Sequence, residues 1–483
     1  MSDEERRTRR ALVGVMLAIF LAAMESTVVA TAMPKVIDSL GGIHIYSWVF
    51  SGFLLTATVM MPVWGRLSDL FGRRPTYLTG LVIVLVGSAL SGAAQDMTQL
   101  IAFRMVQGFG AGSLMTLGMT IVGDLFTLER RAKMQGYLSG VWGVASLAGP
   151  VLGGLLADLA SWRWVFYINL PFGVVAMILL AGALPASAPG GRRVRLDYAG
   201  FALFVIGVSA LLTGLVQAGR AGEWLAGDVL GPLGVAAVAL GAFVRVERRA
   251  AEPIVPLRLF GNRMVVAATV TGFLSGMAMF GAVSFIPLFL QAVAGMSATG
   301  AGLVLIPFVL GWVAFSIVSA RLVLRLGYRG VVTAGMLCLT AAFLLLLRWS
   351  AALTPAAAMR DAVLAGIGMG LSMVPMLIGV QSAVARTDLG AATSVTQFCR
   401  SLGGAIGVSI MGAVMAQRLA AGAGMAEALQ AVFVVGLGVA VAALLSTLLV
   451  PAGRAQDLAR PDRREAVPSS TPDDVRGRLS DAR

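Results

Sequence analysis

Glu25 stands in LAAMESTVVATAMP, Leu21 to Pro34, as the sole ionisable side chain between Ala11 and Met33. A carboxylate at the depth of an apolar span costs a few kcal/mol even on lenient insertion scales. It must therefore face a protein interior or an aqueous cavity, where it can take and release a proton. Arg104, in RMVQGFGAGSLM, is its natural counter-ion. A guanidinium stays charged at accessible pH and needs a partner at this depth. Counting inward along the two runs at 1.5 Å per residue puts both groups within about 3 Å of one depth, so they can meet. A cation beside Glu25 favours the charged carboxylate and burial favours the protonated one, so withdrawal of Arg104 would switch the proton. The same two residues could equally form a static pair pinning two helices together.

The elements that hold them are built for a bilayer. Of 483 residues, 58% are hydrophobic and 13% charged, about half the charged fraction of a soluble domain; mean hydropathy is +0.86. Runs long enough to span a hydrocarbon core recur at 11–33, 46–65, 76–94, 98–124, 133–157, 163–184, 197–217, 224–245, 263–291, 298–320, 329–349, 359–385, 389–417 and 427–450. The expected fold class is an all-α polytopic membrane protein of fourteen transmembrane helices. Net charge is +13, but most of the 37 Lys and Arg lie in the N-terminal segment, in alternate loops and in the C-terminal tail. That is the positive-inside pattern: the charge reports topology, with both termini cytoplasmic, and implies no nucleic-acid partner. The first run has no small-residue cleavage site beyond it, so no cleavable signal peptide is expected. Cys338 and Cys399 sit in apolar runs and offer neither a disulfide framework nor a metal site. Arg360 and Asp361 are expected to be solvated at the outer end of a helix, and His44, the sole histidine, is expected on the surface of an outer loop.

A weak internal repeat divides the spans. Arg66, Leu67, Gly72 and Arg74 match Arg321, Leu322, Gly327 and Arg329 at a fixed offset, and Gly108, Gly110 and Gly112 match Gly366, Gly368 and Gly370. Two related six-helix halves are expected, with two helices inserted between them. The expected organisation is a cytoplasmic N-terminal tail over 1–10, a six-helix bundle over 11–184, a linker with two additional helices over 185–262, a second bundle over 263–450 and a disordered tail over 451–483. The halves are unequal, since Asp69 becomes Leu324 and Arg104 becomes Ala362.

The loop GRLSDLFGRRP carries Gly65, Arg66, Asp69, Gly72, Arg73 and Arg74. Glycines at both turns let helix ends close tightly, and an acid held among three arginines is a latch that can be made in one conformation and broken in another. This loop resembles the signature between the second and third helices of the major facilitator superfamily, with Leu70 where a basic residue is common. RMVQGFGAGSLM resembles that family's fourth-helix motif, in which the arginine takes part in proton coupling. In GVWGVASLAGPVLGGLLAD, Gly149 and Gly153 form a close-approach face, Pro150 removes a backbone hydrogen bond, and Gly154 follows. With SWRWVFYINLP it resembles the antiporter motif and the sixth helix of the fourteen-helix drug/proton antiporters. Glu25, Thr27 and the Ala32, Met33, Pro34 ending resemble the first-helix pattern of that subfamily, whose acid is usually aspartate.

Arg400 lies near mid-membrane in TSVTQFCRSLGGAIGVSIMG with no acid at its depth, as an anion or carbonyl site or as a cap on backbone carbonyls. Phe20, Trp48, Gln107, Met115 and Trp142 are further cavity candidates, in a chain whose 22 Phe and 24 Met offer a soft lining. The resemblance implies a proton-coupled exporter of lipophilic small molecules in a bacterial inner membrane. It would be a monomer among membrane lipids, without enzyme activity or cofactor, and with the proton gradient as energy source. A lipid or lipopeptide exporter shares every motif; an uptake symporter and a non-transporting scaffold are the remaining alternatives.

Overall fold

A computed structural model describes residues 3–42, 45, 48–184, 197–221, 224–250 and 253–453. The segment 454–483, for which a disordered tail is expected, lies outside the described residues, as do His44 and the stretch 185–196. The described residues are helical almost throughout, as a lipid setting requires when every backbone polar group must be satisfied within the chain. The first half comprises α1 (Asp3–Leu40), α2 (Trp48–Phe71), α3 (Arg73–Ala93), α4 (Met97–Leu125), α5 (Leu128–Leu159), the single turn α6 (Trp164–Tyr167) and α7 (Asn169–Ala183). An inserted pair follows, α8 (Tyr198–Ala221) and α9 (Gly227–Glu247). The second half comprises α10 (Arg263–Ala292), α11 (Ala298–Leu346), α12 (Pro355–Ala383), α13 (Leu389–Ala420) and α14 (Met425–Ser446).

Among the described residues, eleven helical stretches are long and apolar enough to cross a membrane. One of them, Trp164–Ala183, joins α6 to α7. Another lies in α11, whose 49 residues are two helices joined at Gly327, where the backbone leaves the helical region. α1 begins well before Ala11, so residues 3–10 of the expected tail are helical. Asp3, Glu4 and Glu5 fill its first turn, where carboxylates complement the positive end of the helix dipole, and Arg6 pairs with Asp3 at 2.7 Å.

The repeat read from the sequence is also a repeat of packing. Gly72 and Gly327 both turn the chain with positive φ, 93° and 72°, a conformation that costs glycine nothing. Gly108 lies against the Phe53 carbonyl and Gly366 against that of Phe308; Gly110 meets Gly80, and Gly368 meets Gly335. These contacts let α4 and α12 approach their neighbours at backbone distance. Each half has its own buried apolar core. A third cluster joins α2 and α13 to the inserted pair through Val59, Val63, Trp64, Phe204, Phe243 and Phe398. Phe204 stacks on Phe243 at 5.2 Å and on Phe398 at 5.4 Å, which seats α8 against both halves.

α5 packs on α1 through Gly153, which faces the Val28 carbonyl and Thr31, whereas Gly154 has open space beside it. Gly149 is buried. Gly153→Leu is therefore expected to destabilise the protein by about 1–3 kcal/mol through overpacking, and Gly154→Leu to be nearly neutral. The fraction of each variant that stays monodisperse after heating checks the contrast.

Candidate functional site

Glu25 is 3% exposed and Arg104 1% exposed, and they form an ion pair between α1 and α4. Arg104 Nη1 donates to one carboxylate oxygen, and Asn169 Nδ2 donates to the other. Around them the shell is polar and closed. Arg104 Nη1 also donates to Gln107 Oε1 at 2.8 Å, and Nε to the Val49 carbonyl at 3.4 Å. Asn169 reaches Ser88 Oγ at 2.9 Å, and Ser88 donates to the Phe166 carbonyl at 2.8 Å. The guanidinium lies over the Phe53 ring at 4.1 Å and faces Phe166 at 5.8 Å, a cation–π arrangement that strengthens where water is excluded. Helices α1, α4 and α7 thus meet at one carboxylate, with Arg104 and Gln107 placed on one face of α4 by their three-residue spacing.

Gln107, expected on a cavity wall, is fully buried inside this shell, because its side-chain oxygen satisfies a second donor of Arg104. Asn169 and Ser88 were not foreseen. Asn169→Leu leaves one oxygen of the buried carboxylate without its donor, and is expected to cost about 1.5–3 kcal/mol of stability. Thermal unfolding of the purified variant checks this, and Asn169→Gln should recover part of the loss.

A second site lies at the end of the bundle where α2 turns into α3 at Gly72. The Asp69 side chain is 1% exposed and pairs with Arg73 at 2.5 Å. Arg73 also bonds Asp124 at 2.8 Å and Ser68 Oγ at 2.7 Å. The other contacts of Asp69 cross to the second half: its oxygens accept the backbone N–H groups of Gly390 at 2.9 Å and Ala391 at 2.8 Å, in the first turn of α13. A carboxylate there satisfies orphan amides and the helix dipole together. Gly65 lies directly on the Gly390 carbonyl and Ser394. Arg66 is buried and lines a pocket with Asp197, Tyr198 and Phe201, while Arg74 is half-buried. To the acid and Arg73 of the expected latch the structure adds the amino end of a helix from the opposite half.

Further contacts close this end. Gln381 Nε2 donates to the Met119 carbonyl at 3.1 Å, and Arg131 approaches Ser382 Oγ at 3.4 Å. Deeper in the bundle, midway along α5 and the first part of α11, Trp142 meets Trp312 of the second half with ring centroids 5.2 Å apart. Phe20 pairs with Phe172 at 6.2 Å, Met115 packs on the first core, and Trp48 opens α2 half-buried. Arg400 borders a pocket between α10, α12 and α13. Asp361, expected to be solvated, is 3% exposed. Trp349 Nε1 donates to it at 3.0 Å and Arg360 pairs with it at 2.8 Å, so the indole covers what a helix end would have left to water.

Two related helical halves, closed on each other at one end around buried charges, have the architecture of a multi-pass membrane carrier. Residues 15–408 match the family described as Major Facilitator Superfamily, and the chain belongs to that family. It is a transporter, not an enzyme. It is 39% identical over 420 residues to the multidrug transporter protein MdtP of Bacillus subtilis, covering 86% of this chain and 77% of that protein. To multidrug resistance protein 3 of the same organism it is 34% identical over 411 residues, covering 85% and 80%. The fold is similar to that of the human organic anion transporter MFSD10 (TETRAN), with a TM-score of 0.64 at 18% identity over 92% of this chain and 100% of the other.

Proposed function

We propose that this chain is a proton-driven antiporter that exports lipophilic drugs or related small molecules from the cytoplasm or the inner leaflet. The observation that carries the reading is the buried Glu25 bound on both oxygens by Arg104 and Asn169. The names of the multidrug relatives support the substrate class. In this reading fourteen helices cross a bacterial inner membrane: the eleven stretches, with α11 counted twice at Gly327 and with α1 and α5 added for their apolar runs. Both termini and the Gly72 end face the cytoplasm, following the positive-inside bias, and the carrier works as a monomer.

The cycle follows from the two sites. With the Asp69 contacts to α13 made, the cytoplasmic end is closed and Glu25 takes its proton from the outer side. Neutral Glu25 no longer compensates Arg104, which keeps only Gln107, the Val49 carbonyl and the Phe53 face, and the α1–α4 contact loosens. Breaking Asp69 away from Gly390 and Ala391 then opens the cytoplasmic end. Substrate enters, Glu25 releases its proton inward, and recovery of the Arg104 pair favours closure around the load. Each step shifts a population between two packed states. The proton gradient supplies the energy, and no cofactor takes part.

The test uses inside-out vesicles with an acidic lumen, in which luminal pH is read as lipophilic drugs are added. Antiport draws protons out of the lumen on addition of a transported drug. A drug that accumulates in the lumen without moving protons contradicts it, and lipid-dependent proton movement without any drug response favours the lipid exporter.

A further inference from the structure

Arg400 sits eleven residues into α13, about 16 Å from the start of that helix at 1.5 Å per residue, near the middle of a hydrocarbon core about 30 Å thick. Its partners do not match its charge. Nε–H has no hydrogen-bond acceptor, and Nη1 reaches only the Met373 thioether sulfur at 3.1 Å, a weak acceptor. Among the described residues no carboxylate pairs with it, in contrast to Arg104, Arg73 and Arg360. α10 makes room for it, since Gly276 lies on the Arg400 backbone and Cγ.

The guanidinium borders a narrow cavity of about 20 Å³ walled by Ala268, Met376 and Leu377 and by the hydroxyls of Ser275, Ser372 and Thr396. Those hydroxyl protons are committed. Ser275 donates to the Gly272 carbonyl at 3.2 Å, Ser372 to Gly368 at 2.9 Å and Thr396 to Ala392 at 2.9 Å. They present lone pairs to the pocket, so they accept from ligand O–H or N–H groups and cannot bind an anion. Arg400 is the cation among the lining residues, beside the Gln397 amide, so recognition of negative charge falls to it. A guanidinium fork fits a carboxylate through two parallel hydrogen bonds, whereas a neutral carbonyl would leave the buried charge uncompensated.

We propose that the pocket between α10, α12 and α13 receives the carboxylate group of lipophilic acids whose apolar body lies outside it, with Arg400 as the charge-selecting residue. This deepens the transport reading and rests on it. The site lies in the half that does not hold Glu25, so the proton and the anion occupy separate halves, and a carboxylate substrate supplies the counter-charge that the second half lacks.

Deoxycholate, a hydroxylated steroid carboxylate, and its uncharged methyl ester form a matched probe pair. Binding to the full-length protein in lipid nanodiscs is measured by calorimetry below the micelle concentration. Wild type is expected to bind the acid at least about tenfold more tightly than the ester. Arg400→Gln should weaken the acid about tenfold and the ester less than about twofold, and Arg400→Lys should restore part of the preference. Ser275→Asp, which puts a carboxylate into the same pocket, should abolish the preference without touching Arg400. Equal binding of acid and ester by wild type, binding of neither, or an equal loss of both in Arg400→Gln overturns the proposal. Vesicle measurements separate this from the transport reading. Drug-driven proton movement with no charge preference sinks the anion subsite alone, and charge preference without proton movement sinks antiport alone.

Discussion

Glu25→Gln is expected to abolish drug-driven proton movement in acid-loaded inside-out vesicles, lowering it by about 100-fold or more, to the level of empty vesicles. Glutamine keeps the length of the side chain and an acceptor oxygen for Arg104, so the shell of Gln107, Asn169 and Ser88 stays closely filled. It carries no exchangeable charge. The variant therefore stands permanently in the protonated state of the cycle. A buried pair deprived of one partner costs about 3–5 kcal/mol, which at 1.4 kcal/mol per tenfold exceeds a 100-fold shift between the closed and open states. Drug binding should persist in this variant while exchange with protons is lost. Glu25→Asp keeps the charge on a side chain one methylene shorter, and is expected to retain proton movement at a reduced rate. Wild-type proton movement by Glu25→Gln would remove this residue from the coupling step.

Asp69→Asn carries the second large effect, and it acts on conformation. The carboxylate accepts two backbone N–H groups of α13 and an Arg73 donor. An amide has one acceptor oxygen and no charge to set against Arg73 or the helix dipole. Hydrogen bonds to charged groups contribute about 1.5–3 kcal/mol each, so the closed state should lose on the order of 3 kcal/mol relative to the open one, a shift of about 100-fold. The readout is alkylation of a cysteine introduced at Ser382, a buried position on α12 near Arg131, with Cys338 and Cys399 replaced. The label should react slowly in the Asp69 background and about 100-fold faster with Asp69→Asn, while transport falls at least about tenfold. Unchanged labelling would mean that Gly65 and Gln381 hold this end without Asp69.

What the sequence discloses about these sites depends on the kind of interaction. Glu25 and Arg104 are legible because each is an ionisable group in an apolar run, and depth counted at 1.5 Å per residue brings them together. Asn169 is neutral and leaves no charge to balance, so nothing in YINLP marks it as a ligand of a carboxylate on α1. Asp69 is visible as a latch residue, but its partners in α13 are backbone N–H groups, which have no side-chain signature; the arginines beside it in sequence are the more obvious candidates. Counting depth from a helix end places Asp361 in water, because the covering Trp349 indole comes from the loop that follows α11. The repeat is legible through its glycines, where backbones touch and no side chain fits. The inserted pair α8–α9 is legible as apolar runs only, since its seat on Phe398 depends on shape.

The central claim is that substrate and proton exchange through Glu25, and proton release on binding measures it most directly. Purified protein in weakly buffered detergent near pH 7 is titrated with a transported drug while free protons are followed with a pH dye. Wild type is expected to release protons in proportion to drug bound, and Glu25→Gln to bind the drug and release none. Equal release from both would contradict the account, placing the exchangeable proton on another group.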